Sequence, residues 1–157
     1  MPMSRRGILG GTLALGAAAL SGCSLLRGDL GKKCAEAAEG VDGVTDARLT
    51  AAADGGFSRY LSGTVRIDAE GEQLLHVFDE ALRAIITTIH DFNRDEQPGD
   101  RRVDGVTGVG TGGDEVRIAD LIGEQPEAEG SVWPTSDGEK KKRPVTASTL
   151  YGRYGLR

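Results

Sequence analysis

Two cysteines, two histidines, a glycine-rich run and an acidic pentapeptide are the parts of this chain whose residue types and spacing invite chemistry. Each meets only part of what that chemistry demands. Gly108-Val109-Gly110-Thr111-Gly112-Gly113 spells G-x-G-x-x-G. A dinucleotide turn with that spelling joins a strand to a long helix and has an acid about 20 residues on for the ribose. The following residues, 114–122, are too few and too strand-like, so the run is expected to be a hairpin turn that binds no nucleotide. Asp91-Phe92-Asn93-Arg94-Asp95 alternates oxygen ligands as a calcium loop does. The sixth place, however, holds Glu96 instead of glycine, and the twelfth holds Arg102 instead of glutamate. His76 and His90 lie fourteen residues apart on one expected helix. That is ~21 Å at 1.5 Å rise per residue, too far to share a metal. Cys34 has no second cysteine nearby, so neither a redox pair nor a thiolate metal site forms, and it is expected to be a small buried residue. There is no G-x-S-x-G and no H-E-x-x-H, and Asp79 and Glu80 fall on what reads as a solvated helix face. No catalytic, cofactor-binding or metal residue is assigned on these grounds, and no cofactor is expected.

The remaining chemistry lies at the start. Met1 to Arg6 is short and basic, Ile8 to Leu20 is apolar, and small Ser21 and Gly22 precede Cys23. The apolar run is shorter than the ~20 residues a membrane-spanning helix needs, and Gly10, Gly11 and Gly16 weaken it as a helix. Leu20-Ser21-Gly22-Cys23 resembles the lipobox of bacterial lipoprotein precursors. The resemblance implies cleavage before Cys23, a thioether-linked diacylglycerol on its sulfur, and often a further acyl chain such as palmitate on its amine. Several chains on one residue anchor firmly, because burial contributes about 0.8 kcal/mol per CH₂ and a single chain holds only marginally. Ser4-Arg5-Arg6-Gly7-Ile8-Leu9 also resembles a twin-arginine export signal, which makes Arg5 and Arg6 the export determinants. A general secretory signal with two adjacent arginines is the other reading.

Removal of residues 1–22 from the 157 leaves 135, enough for one modest domain with tails. That mature chain carries 17 basic and 24 acidic residues, a formal charge of −7, so no broad basic footprint for nucleic acid is expected. With Cys23 given to lipid, Cys34 has no disulfide partner in the chain. Aromatics are only 4% of residues, so the core must be built from Val, Ile, Leu and Ala.

The elements that would hold these residues follow from periodicity. Residues 23–31 read as a tether. Lys32 to Glu39 suits a helix, with Cys34, Ala37, Ala38 and Val41 on one stripe and Gly40 past its end. Val44 to Ala53 and Phe57 to Asp68 alternate as two strands about Asp54-Gly55-Gly56, a hairpin. Residues 70–92 give the strongest helix, with Leu74, Phe78, Ala81, Ile85 and Ile89 in one stripe widened by Leu75, Leu82 and Ile86. Arg101 to Leu121 reads as a second hairpin, with 114–122 open to a helical alternative. Val41-Asp42-Gly43-Val44-Thr45 recurs as Val103-Asp104-Gly105-Val106-Thr107. This echo is compatible with a duplicated helix-plus-hairpin unit or with chance reuse of a turn phrase. Residues 123–147, rich in Pro, Glu, Gly and Lys, have the composition of a disordered linker. Residues 148–157 bring back Leu150, Tyr151, Tyr154 and Leu156 as a short docking end.

The expectation is therefore an α+β two-layer domain over 32–122. One long amphipathic helix lies on a mostly antiparallel sheet, in an arrangement compatible with a ferredoxin-like topology. By resemblance the domain is held by lipid on Cys23 to the outer face of a cell membrane. Its partners would be that membrane and an envelope protein or cell-wall polymer, Lys140-Lys141-Lys142-Arg143 being a basic run that could meet anionic surfaces. A non-catalytic binding or envelope accessory module is the first functional expectation. An extracytoplasmic enzyme with a site built from scattered residues is the second.

Overall fold

The computed structural model describes residues 30–53, 59–95, 100–123 and 144–157. Cys23, Arg5, Arg6, the Asp54-Gly55-Gly56 turn and the Lys140–Arg143 run lie outside them. The element order is α1 (Leu30–Glu39), β1 (Val44–Ala53), β2 (Arg59–Ile67), α2 (Gly71–Asp95), β3 (Arg102–Val109), β4 (Glu115–Arg117), α3 (Ile118–Ile122) and α4 (Ala147–Tyr151). No described helix is long and apolar enough to cross a membrane.

This is an α+β fold: helices packed on a four-stranded mixed sheet of order β1-β2-β3-β4. β1–β2 and β3–β4 are antiparallel hairpins, while β2–β3 is parallel, as a crossover through α2 requires. Strand order follows chain order, so no strand is inserted between earlier neighbours, and the ferredoxin-like option gives way to a helix–strand–strand unit used twice. The sequence echo does not mark that repeat. Val41–Thr45 forms the turn into β1, with Gly43 at φ 93°, whereas Val103–Thr107 lies within β3.

Alternation puts Ala47 and Leu49 of β1 and Leu61, Val65 and Ile67 of β2 on the inner face. In β3, Val103 and Val106 are both buried across a register shift between Arg102 and Gly105. Against them α2 buries Leu74, Phe78, Ala81, Leu82, Ile85, Ile86 and Ile89. Leu75 leaves that stripe half-buried and Val77 joins it. Gly63, at φ 140°, continues the inner row of β2 where β1 comes closest. A methyl group there would lie 2.0 Å from the Arg48 carbonyl oxygen, so only glycine lets the hairpin close.

Several boundaries differ from expectation, among them that of the 123–147 linker, since Val145 and Ala147 are buried and α4 begins at Ala147. The fold takes in Leu30 and Gly31 from the expected tether, both buried. The bare backbone of Gly31 lies so close to β1 that a methyl group would sit 2.6 Å from the Leu49 carbonyl oxygen. The second hairpin is truncated. β4 has three residues, after which the chain turns helical at Ile118 because the Asp120 side chain reaches back to accept from the Arg117 amide at 2.7 Å.

Cys34 is fully buried between α1 and α2, its thiol directed at the Ile85 carbonyl at 4.0 Å. Thiol reagents are therefore expected to react slowly with native protein and much faster in denaturant. Equal rates in both states would place Cys34 at the surface.

Candidate functional site

The outward stripe of α2 carries Glu72, Leu75, His76, Asp79, Glu80 and Arg83, the i, i+3, i+4 spacing of one helix face. α3 supplies Asp120 and Leu121 as a second wall, and the chain after α4 supplies Arg153 and Tyr154. Together they line an open cleft of about 740 Å³. Its lining pairs four carboxylates with two guanidinium groups over the apolar Leu75 and Leu121.

The sequence reading of a uniformly solvated α2 face fails at Asp79. Arg153 donates to both of its oxygens, from Nε at 3.2 Å and from Nη2 at 2.8 Å, and the Tyr154 hydroxyl donates at 2.7 Å. Burial alone would raise the Asp79 carboxyl, but the hydrogen bonds from Arg153 and Tyr154 and the Arg153 charge outweigh it and hold it below the usual carboxylate range. Tyr154 moves the other way: burial first, then its bond to Asp79, pushes the phenol well above its ordinary value. In this arrangement Tyr154 is a fixed donor and Asp79 a fixed acceptor. Neither is poised to move a proton near neutral pH, so the pair suits binding and clasping better than acid–base chemistry.

The clasp continues along α2. Asn93 donates to the Tyr151 hydroxyl at 3.3 Å. His90 meets the Arg157 carbonyl oxygen at 3.0 Å and stacks edge-on to Tyr151 with ring centroids 5.0 Å apart. At the other end of this C-terminal segment, Val103 donates to the Val145 carbonyl and Ala147 to the Arg101 carbonyl, both at 2.8 Å, extending the free edge of β3. Asp100 caps α4 by accepting from the Ser148 amide at 3.1 Å and from its hydroxyl. Its carboxyl is likewise held low: the Ser148 and Thr146 hydrogen bonds overcome the opposing effect of burial.

A depressed native carboxylate contributes stability that is fully present above its unfolded value, about 3.9, and is lost as pH falls below that toward the native value. Asp79→Asn is therefore expected to cost roughly 1 kcal/mol at pH 7, no more, because Asp79 and Arg153 remain 33% and 37% exposed. The difference from wild type should shrink below about pH 4 in acid titrations followed by circular dichroism. A difference that stays constant down to pH 2 would contradict an ionised clasp.

The other residues with chemical promise are placed as follows. Gly110 and Gly113 close the β3–β4 turn, with the Gly113 amide donating to the Gly110 carbonyl at 3.1 Å. A methyl group on Gly108 would lie 2.6 Å from the Phe78 ring, so that glycine serves packing. Asp91 to Asp95 form the last turn of α2, where Asp91 pairs with His90 and Arg94. His76 is exposed, 4.0 Å from Glu80. Among the described residues no group of three or more His, Cys, Asp or Glu is placed to hold a metal.

Sequence reasoning missed one further residue, Arg101. It is 7% exposed, its guanidinium lies 5.5 Å from the Phe92 ring centroid, and its Nε meets no hydrogen-bond partner. Burial disfavours its charged form and nearby Arg59 adds same-sign repulsion. Its place next to the Pro98-Gly99 turn in the sequence gave no sign of burial. In comparisons with known proteins the chain matches no family model, no curated protein and no solved structure.

Proposed function

We propose that this protein is an extracytoplasmic lipoprotein, anchored through acyl chains on Cys23. Its α+β domain acts as a binding or envelope accessory module. The observation that carries the reading is Leu20-Ser21-Gly22-Cys23 at the end of a short apolar run behind Arg5 and Arg6. The seven residue steps from Cys23 to Leu30 span at most about 25 Å, which holds the domain close to the bilayer. The binding role is supported by the α2 cleft. Its central acid and phenol are locked to each other, while Glu72 and Arg83 line it beside the apolar Leu75 and Leu121. Membrane fractionation of cells producing Cys23→Ala tests the anchor, and exchanging Arg5 and Arg6 for lysine tests the export route. Twin-arginine recognition distinguishes guanidinium from ammonium, so the double-lysine chain should fail to leave the cytoplasm. Its normal export would assign the general secretory route.

A further inference from the structure

Residues 144–157 meet the rest of the fold as a separate piece, tied first to one another. Thr149 donates to the Thr146 carbonyl at 3.2 Å, Tyr154 to that of Leu150 at 3.3 Å, and Leu156 to that of Tyr151 at 2.9 Å, so backbone bonds run from Thr146 to Leu156. The ties to the body are of another kind. Those at Val103, Arg101, Asp100, Asn93, His90 and Asp79 each cross more than forty positions of sequence. Of the described buried apolar residues, only Val145, Ala147 and Leu150 belong to this segment. Leu61, Val65, Phe78, Ile85 and Val106 all belong to the body, in the layer between α2 and the sheet. The Arg153–Asp79 pair is 37% and 33% exposed, and pairs so exposed add little. An element held by few buried apolar residues and by solvated polar bonds opens ahead of the core around it.

Docked, the segment covers two things. β4 pairs with Thr107, Gly108 and Val109, so the earlier half of the β3 edge is left to Val145 and Ala147, which bond to Val103 and Arg101. A bare strand edge is a template for another strand, and covering it is how folds keep it from pairing. At the other end, Arg153 and Tyr154 form one wall of the α2 cleft and engage the acceptor oxygens of Asp79.

We infer that residues 144–157 are a covering strap that leaves α2 and β3 as one unit while the body stays folded. Release opens the cleft at Asp79, whose carboxylate loses its guanidinium and phenol partners. It also bares the Arg101 carbonyl and the Val103 amide, the two groups that an added strand would bond. The opening is a property of the fold and does not rest on the binding role proposed for the cleft.

The chain beginning at Ser24 retains every residue of the buried core and serves for the test, native-state hydrogen exchange followed by NMR. The Val103 amide reports the seat and the Ala147 amide the strap. Both should exchange together, faster than the amides of the β1–β2 ladder. Their dependence on urea should be weaker, because strap release exposes less surface than unfolding. Asp79→Asn removes a tie that release breaks, so it should speed both amides about fivefold. Ile85→Ala should speed the β1–β2 ladder about thirtyfold or more and leave Val103 and Ala147 unchanged, since Ile85 stays packed when only the strap departs. Ile85→Val, with about a two- to tenfold effect on the ladder, takes its place if the alanine variant does not fold. Val103 and Ala147 amides that follow the ladder in rate, in urea dependence and in response to Ile85 would overturn the proposal. So would two amides that answer Asp79→Asn differently, because the strap would then not move as one unit.

Discussion

Replacing Ile85 with alanine is expected to destabilise the domain by about 2–5 kcal/mol, the range for a buried aliphatic truncated in a packed core. Ile85 is fully buried mid-way along α2, with Ala81, Leu82, Ile86 and Ile89 equally buried around it and the Cys34 thiol on its carbonyl. A cavity there has little room to collapse, because helix and sheet are both fixed by neighbours. Arg83→Ala, two residues away on the exposed face, should change stability by less than about 0.5 kcal/mol. Urea melts of the chain beginning at Ser24 measure both. Against a typical domain stability of ~5–15 kcal/mol the contrast is large. Similar costs for the two substitutions would mean that α2 does not present these faces.

Cys23→Ala should have the largest cellular effect: loss of membrane retention. No described helix is long and apolar enough to cross the membrane in its place. The lipid term is steep, since each buried CH₂ contributes about 0.8 kcal/mol, so on the proposed anchor the loss of the Cys23 sulfur removes nearly all the affinity. The variant, once its signal is removed, should appear in the soluble extracytoplasmic fraction. A variant that is processed normally and still sediments with washed membranes would contradict the anchor.

The parts of the fold legible in the sequence are those where one face is buried and the other solvated. β1 was readable at both ends, Val44 and Ala53, because Ala47 and Leu49 alternate with Arg48 and Thr50. The stripe of α2 was readable because seven of its buried residues fall on one arc. Features set by backbone proximity were not. Gly31 carries no hydropathy signal, so the approach of α1 to β1 left its first turn looking like tether. The switch from β4 to α3 rests on one side-chain cap, Asp120 to Arg117, inside a stretch that reads equally as strand or helix. The parallel pairing of β2 with β3 is a matter of topology, which periodicity does not encode.

The site was less legible for the same reason. Asp79 looked solvated because helical spacing places it opposite the core stripe. Its partners Arg153 and Tyr154 lie more than seventy residues away, beyond a segment whose composition suggests no structure. Arg101 was hidden by type: arginine is seldom buried, and the bridge of its neighbour Arg102 to Thr146 joins distant segments.

The anchor is tested most directly by intact-mass spectrometry of the protein extracted from membranes of the native host, with fragmentation of its first residues. The expected product begins at Cys23 and carries a diacylglycerol on that residue, with or without a further acyl chain on its amine. A mature chain that begins elsewhere, or an unmodified Cys23 at the expected start, would contradict the account.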